Sequence, residues 1–401
     1  MIVLYNPHID DLIGEFPYFK LRGRKSAKKY EFLILNKKNK NEKIKILSDA
    51  TASAVFPCGT YEKIPKVIRK IISYIELKLW IRLNGLQKNC EIKYNNKNLD
   101  SNDTLLIFSY KAMTGAHLMG EKLSSISNFG HVVAHLSHYF MWTAIKSENL
   151  KKITNIWLAG DSDISDNSYF KEYYSWYQKP FLVLPFNVAE KFECVNRFSQ
   201  RKPLCIATGT IIDLKNEFHK SRHSEFQKFY SENSYHPIRE KIYKEKNSIS
   251  EFIVSIINPV RGEKSGGLIM KLLSKIKISQ KEYFSINIKD LYNEYRFAVV
   301  GEELTGFPAI GAFEAMACGT VLIGDSKHYK GLGLIAGKHY LEHNGSLNCI
   351  MNIIKNTKNN IEIIEEIQKN GISYVRERMS MASIEGTWKQ ELENKVYKKI
   401  T

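Results

Sequence analysis

The stretch Gly306-Phe-Pro-Ala-Ile-Gly-Ala-Phe-Glu-Ala-Met-Ala-Cys-Gly319 brings together residue types suited to an anionic nucleotide. Gly306, Pro308 and Gly311 predict a tight turn opening a helix near Ala309. Backbone N–H groups at a helix N-terminus, together with the helix dipole, attract phosphate. Glu314 falls within the first two turns, on the face that points back toward the turn. Its carboxylate can accept two hydrogen bonds from vicinal hydroxyls, which a ribose offers. Gly319 fits the left-handed position that ends a helix. Gly306, Ile310, Gly311 and Glu314 are therefore the first candidate nucleotide contacts.

Three other stretches carry chemistry-bearing residues. In 111–122, Gly115 and Gly120 allow the backbone to approach a ligand where a strand gives way to a helix, with His117 at the mouth; a plain glycine-punctuated turn fits equally. In 155–163 an apolar strand ends in Asp161-Ser-Asp163, a pattern that can hold Mg²⁺ or Mn²⁺ against a diphosphate. Aspartates are also commonplace in loops after strands. The segment 63–82 is basic and amphipathic. Ile64, Ile68, Ile71, Ile72, Ile75 and Leu79 keep helical spacing, with Lys63, Lys66, Arg69, Lys70 and Lys78 on other faces. It reads either as a helix packed on a sheet with solvated lysines, or as one lying in an anionic membrane surface with Tyr74 and Trp80 at headgroup level.

These residues need a scaffold. A chain of 401 residues exceeds one ordinary core and favours two domains. Apolar or β-branched runs at 2–5, 32–35, 104–108, 131–134, 155–159 and 181–184 predict one series of strands. A second series is predicted at 204–207, 252–256, 282–286, 297–300 and 321–323. Continuous apolar strands separated by helix-compatible segments indicate parallel sheets covered on both faces, so two doubly wound α/β domains are expected. The polar stretch after 188 suggests a boundary there, giving domains 1–195 and 196–401.

Composition narrows the class. No apolar run is long enough to span a bilayer, and the N-terminus reads as a buried strand, not a signal peptide, so a cytoplasmic location is expected. The six cysteines are scattered, with no metal-ligand spacing, and read as reduced structural thiols. A net charge of +17 calls for an anionic partner, but the basic residues are spread along the chain and not clustered with aromatics. A nucleic-acid partner is not expected.

The run Phe313-Glu-Ala-Met-Ala-Cys-Gly-Thr-Val-Leu-Ile-Gly324 resembles the donor-site signature of GT-B glycosyltransferases, especially the large retaining bacterial family that includes sucrose- and lipopolysaccharide-type transferases. That signature is a Glu, seven residues, then Glu-Ala-Met-Ala-x-Gly. Glu314 matches the second Glu, whereas Gly306 stands in place of the first. Anchoring on Gly-Phe-Pro puts Thr305 there instead, and Glu302 and Glu303 are close enough to substitute. Retention or inversion is left open. Val183-Leu-Pro-Phe-Asn-Val-Ala-Glu-Lys-Phe192 resembles the segment closing the family's N-terminal domain. His131-Val-Val-Ala-His-Leu-Ser-His-Tyr139 resembles its strand-end histidine segment, where a His faces the transferred sugar, so His135 or His138 takes that role.

The resemblance implies two Rossmann-like domains facing across a cleft, an acceptor-side N-terminal one and a nucleotide-sugar-binding C-terminal one, with the C-terminal helices packing back on the former. It implies that Thr208, Gly209 and Thr210 lie beside the diphosphate and that Arg239, Arg261 or Lys264 neutralises it. It implies transfer of a sugar from a nucleotide-sugar donor to a glycan or lipid-linked acceptor, in capsule, lipopolysaccharide or O-antigen assembly, with no metal and no further cofactor. The rival expectations are a GT-B-shaped sugar-nucleotide epimerase, a metal-dependent GT-A transferase using Asp161 and Asp163, and a basic nucleic-acid-binding protein.

Overall fold

The computed structural model describes residues 2–5, 29–48, 50, 53, 61, 63–94, 102–108, 113–114, 129–212, 214, 223–232, 234–260, 286–357 and 360–397. The chain forms two compact units, Met1–Asn187 with Met381–Thr401, and Val188–Ser380.

The first unit is built on seven parallel strands: β1 (Ile2–Tyr5), β2 (Ile44–Leu47), β3 (Cys90–Lys93), β4 (Thr104–Ile107), β5 (His131–His135), β6 (Ile156–Gly160) and β7 (Leu182–Val183). Their order is β3-β2-β1-β4-β5-β6-β7. Apart from edge strand β3, whose Glu91 is exposed, they are almost continuously apolar and buried, as strands covered on both faces must be. Leu4, Leu106 and Val133 meet Leu77, Trp80 and Trp388 in one core. Trp388 lies on a late helix, Ile384–Leu392, and its indole N–H donates to the Pro185 carbonyl at 2.9 Å. Glu391 of that helix accepts the Val183 N–H at 2.8 Å, which fixes the helix against edge strand β7.

Two expectations change here. The run 32–35 is not a strand but lies inside the helix Lys29–Asn39, and the strand comes later, as β2. A four-residue apolar run fits either element, and Leu33 and Ile34 reach the core from the helix. The helix in 63–82 spans Lys66–Leu83 but turns the other way round. Ser73, Glu76, Leu77, Trp80 and Ile81 face inward, so Trp80 belongs to the core and not to a membrane surface.

The second unit carries β8 (Lys202–Ala207), β9 (Thr210–Ile212), β10 (Ile253–Ser255), β11 (Asn258–Val260), β12 (Tyr295–Val299), β13 (Val321–Gly324) and β14 (Leu341–Glu342). Five of them form a parallel sheet in the order β10-β8-β12-β13-β14, while β9 and β11 pair separately. The chain thus leaves β8 toward one edge and returns to its other side as β12. Such a reversal opens a crevice at the carboxyl ends of the two strands, where doubly wound folds bind ligands.

The helix Ile310–Ala317 follows β12, and its end is fixed by local chemistry. Gly319 adopts φ +76°, its N–H donates to Met316 and the Thr320 N–H to Ala315. That pair of bonds is a Schellman motif. Buried Arg201 donates to the carbonyls of Cys318 and Gly319 and to that of Tyr292, tying the start of β8 to the helix end. The long helix Ile361–Met379 packs alongside, with Gly371 admitting the Met316 side chain.

Candidate functional site

The reversal between β8 and β12 gathers most of the sequence-predicted residues of the second unit. Thr208 and Gly209 follow β8 and Thr210 opens β9, while Gly301, Glu302 and Glu303 follow β12. Arg239, on the helix Pro237–Glu245, joins the two strand ends. Its Nε donates to the Val300 carbonyl at 2.5 Å and its Nη1 to the Thr210 carbonyl at 3.0 Å. The side chain passes between two glycines with left-handed φ: a Cβ on Gly209 would lie 2.6 Å from Arg239 Nε, and one on Gly301 2.6 Å from its Cγ. Both positions therefore require glycine, for backbone conformation and for space. Arg239 is almost wholly buried and is engaged with backbone carbonyls.

The Ile310–Ala317 helix opens beside this junction. Its N-cap, Ala309, supplies no side-chain acceptor, and Ala309, Ile310 and Gly311 are partly exposed. The first-turn N–H groups of Ile310 and Gly311 are those an anion would meet. Gly311 holds the first turn close to β8 through Tyr292: a Cβ there would lie 3.1 Å from the Tyr292 hydroxyl, which bonds Thr208 Oγ1 at 2.9 Å. Burial, reinforced by the Glu314 charge, raises the Tyr292 phenol far above its usual range, so it stays protonated. Glu314 stands three and four residues after Gly311 and Ile310, and helical side chains lean toward the N-terminus. Glu314, buried as a residue, is thus stacked under the exposed first turn. Gly306, with φ +92°, closes the preceding turn by donating to the Glu303 carbonyl.

Glu302 does not join this surface. Its Oε1 accepts the Tyr329 hydroxyl at 2.9 Å and the Asp325 N–H at 3.1 Å, and its Oε2 lies 3.5 Å from His343 Nε2. Glu303 is the partly exposed member of the pair and accepts the Thr305 hydroxyl at 3.3 Å. Burial raises the Glu302 pKa, but the hydrogen bond and charge of His343, the charge of His328 and the Asp325 N–H outweigh it, leaving a value of about 2 against an ordinary 4.5. Neighbouring His236 moves well below its usual range through burial and then the Arg239 charge, and stays neutral.

A depressed carboxylate pKa stabilises the fold above the unfolded value, and that contribution disappears as pH falls toward the folded value. Glu302 therefore stabilises the fold above pH 4.5, and that contribution is lost as pH falls from 4.5 to about 2. Urea titrations across that window are expected to show a shallower acid limb for Glu302→Gln than for the parent. Equal slopes would contradict the assignment.

In the first unit the two candidate histidines separate. His135 is buried; its Nε2 bonds the Leu184 carbonyl at 2.9 Å, its Nδ1 the Ser137 hydroxyl at 3.0 Å, and its ring lies over Trp388. His138 is exposed, at φ +52°. Asp161 Oδ1 lies 3.9 Å from His135 Nε2, and Asp163 accepts the Ser165 N–H at 2.9 Å, a turn bond. No cluster of three or more His, Cys, Asp or Glu suited to a metal occurs among the described residues. His117, Arg261 and Lys264 lie outside the described residues, as does most of the expected strand 282–286. Sequence reasoning missed Arg201, Tyr292, Tyr329 and His343. Arg201 sits in a polar run that reads as linker, and the others gain meaning only from partners distant in the chain.

No family model and no curated protein matches this sequence. Solved structures do match over nearly the whole chain. Sucrose-phosphate synthase from Thermosynechococcus elongatus superimposes with a TM-score of 0.52 at 12% identity, covering 98% of each chain. Anabaena HepE, in complex with UDP, gives 0.50 at 11% identity over 98% of this chain and 99% of that one. At such identities the likeness concerns the fold.

Proposed function

For a chain with the GT-B glycosyltransferase fold, we propose that the second unit binds a nucleotide-sugar donor and that the protein transfers its sugar to an acceptor. One observation carries this reading: the uncapped, partly exposed helix start at Ala309–Gly311, with Glu314 beneath it, opens at the reversal between β8 and β12. The first-turn N–H groups take the diphosphate, and the Glu314 carboxylate takes the ribose hydroxyls. Glycosyl transfer passes through an oxocarbenium-like state, so stabilising the departing diphosphate is the main electrostatic task. The N–H groups and the helix dipole do this without a divalent cation. Arg239 acts as a positioning residue that holds the two strand ends in register while adding positive charge nearby. The histidine role implied by the family resemblance falls to exposed His138, not to enclosed His135, and Glu303 is the carboxylate available to replace the missing first Glu. Because the HepE structure holds UDP, a UDP-sugar is the first donor to try.

For the acceptor we propose a lipid-linked glycan at the cytoplasmic face of the membrane, in surface polysaccharide assembly such as capsule, lipopolysaccharide or O-antigen. Support for a lipid-borne acceptor comes from an apolar helix face described below. A thermal-shift panel of UDP, GDP, ADP, CMP and inorganic pyrophosphate, with and without EDTA, tests the donor half. One nucleoside diphosphate at saturating concentration should raise the Tm by about 5 °C, pyrophosphate should do less, and EDTA should change neither. No shift with any nucleotide would refute the reading. A shift abolished by EDTA would move the chemistry to a metal site such as Asp161 and Asp163.

A further inference from the structure

Among the described residues, exposed large hydrophobic side chains concentrate on one helix, Lys66–Leu83. It carries Val67, Ile68, Ile71, Tyr74, Ile75, Leu79 and Leu83, each between 40% and 71% exposed, whereas the remaining examples are scattered over five other stretches of the chain. At 100° per residue these seven side chains share the half of the helix opposite the buried stripe of Ser73, Leu77, Trp80 and Ile81. The helix is about 27 Å long, so this is a continuous apolar face and not a chance exposure. Contiguous faces of this kind mark interaction surfaces.

Charge identifies the occupant. Lys78 and Arg82 stand within the apolar face, Lys70 lies beyond its Tyr74 edge, and Lys63 and Lys66 sit just before and at the helix start; all five are exposed. The helix has a single acid, Glu76, which is turned inward and accepts the Ser53 hydroxyl. Lys78 Nζ lies 5.5 Å from the centre of the Tyr74 ring, so cation and aromatic ring present themselves together. A two-fold contact between copies would set these cations against their own equivalents. An anionic lipid surface accepts both halves of the face, with aliphatic groups entering the acyl boundary and lysines meeting headgroup phosphates. No helix among the described residues is long and apolar enough to cross a membrane, so the contact lies in the plane of the interface. We infer that the helix Lys66–Leu83 docks the protein onto anionic membrane, with Ile68, Ile71, Ile75 and Leu79 inserted and Lys70, Lys78 and Arg82 at the headgroups.

The inference is independent of the donor reading, because vesicle binding is measured without nucleotide. Full-length protein is sedimented with vesicles of phosphatidylcholine containing phosphatidylglycerol, and with phosphatidylcholine alone. The parent should bind the anionic vesicles and release at high salt. Ile71→Glu with Ile75→Glu, and separately Lys70→Glu with Lys78→Glu, should each weaken binding about tenfold or more, while Tm is unchanged because all four positions are exposed. If one pair proves unstable, the other decides. Absence of parent binding to the anionic vesicles would overturn the inference. So would a dimer in light scattering that the isoleucine pair dissolves.

Discussion

Replacing Glu314 by Ala is expected to lower donor-nucleotide affinity about 10- to 100-fold, the worth of one or two hydrogen bonds to a charged acceptor. The expectation follows from where the carboxylate sits. It lies under the open first turn of the Ile310–Ala317 helix, close enough for its charge to raise the Tyr292 phenol. A ribose placed after a diphosphate on that turn meets it directly. Glu314→Gln keeps the shape and one acceptor and should fall between parent and Ala. A stricter readout compares nucleotides with and without a ribose hydroxyl. Removing the hydroxyl should cost the parent affinity and cost Glu314→Ala little, since the partner is already gone. Affinity for inorganic pyrophosphate should be the same in both proteins. Equal penalties for the deoxynucleotide in parent and variant would show that Glu314 does not touch the ribose.

The second large effect is expected at Arg239. Its guanidinium reaches the carbonyl of Val300 and that of Thr210 at once, and so joins the residue after β12 to the start of β9. Lysine keeps the charge but presents it as a point and cannot bridge two carbonyls set for a planar fork. Arg239→Lys should lower stability by on the order of 3 kcal/mol and should impair donor binding more than any surface substitution does. Gly209→Ala should produce the same syndrome from the other side, because a Cβ at φ +118° would press on Arg239 Nε and Cζ. The double variant should lose less than the sum of the single losses, since both disturb one contact. Additive losses in urea unfolding would mean that Gly209 and Arg239 act separately.

Legibility in the sequence followed the range of the forces involved. The strand–turn–helix unit from β12 to β13 was readable because its signals are local: an apolar strand, Gly306 and Pro308 at a turn, Gly319 at a left-handed helix end. The run at 32–35 was not, since four apolar residues satisfy a strand and a helix alike until the core chooses. The helix Lys66–Leu83 misled for a related reason: it has two apolar stripes, and the one with the cleaner isoleucine spacing is the one left in solvent. Long-range polar partnerships were invisible. Nothing near Glu302 announces that Tyr329 and His343 will enclose it, or that Arg201 will reach across to Gly319. The histidine pair shows the same limit. His135 and His138 are three residues apart in one motif, yet burial separates them completely.

Donor-dependent sugar transfer is open to a product assay. The full-length protein is incubated with a UDP-sugar and a lipid-linked glycan acceptor in EDTA, and all species are followed by mass spectrometry. Free nucleoside diphosphate and an acceptor heavier by one sugar should appear in equal amounts, and both should be lost in Glu314→Ala. Consumption of the donor to a sugar-nucleotide isomer without any acceptor, or transfer that requires added Mg²⁺ or Mn²⁺, would contradict the proposed function.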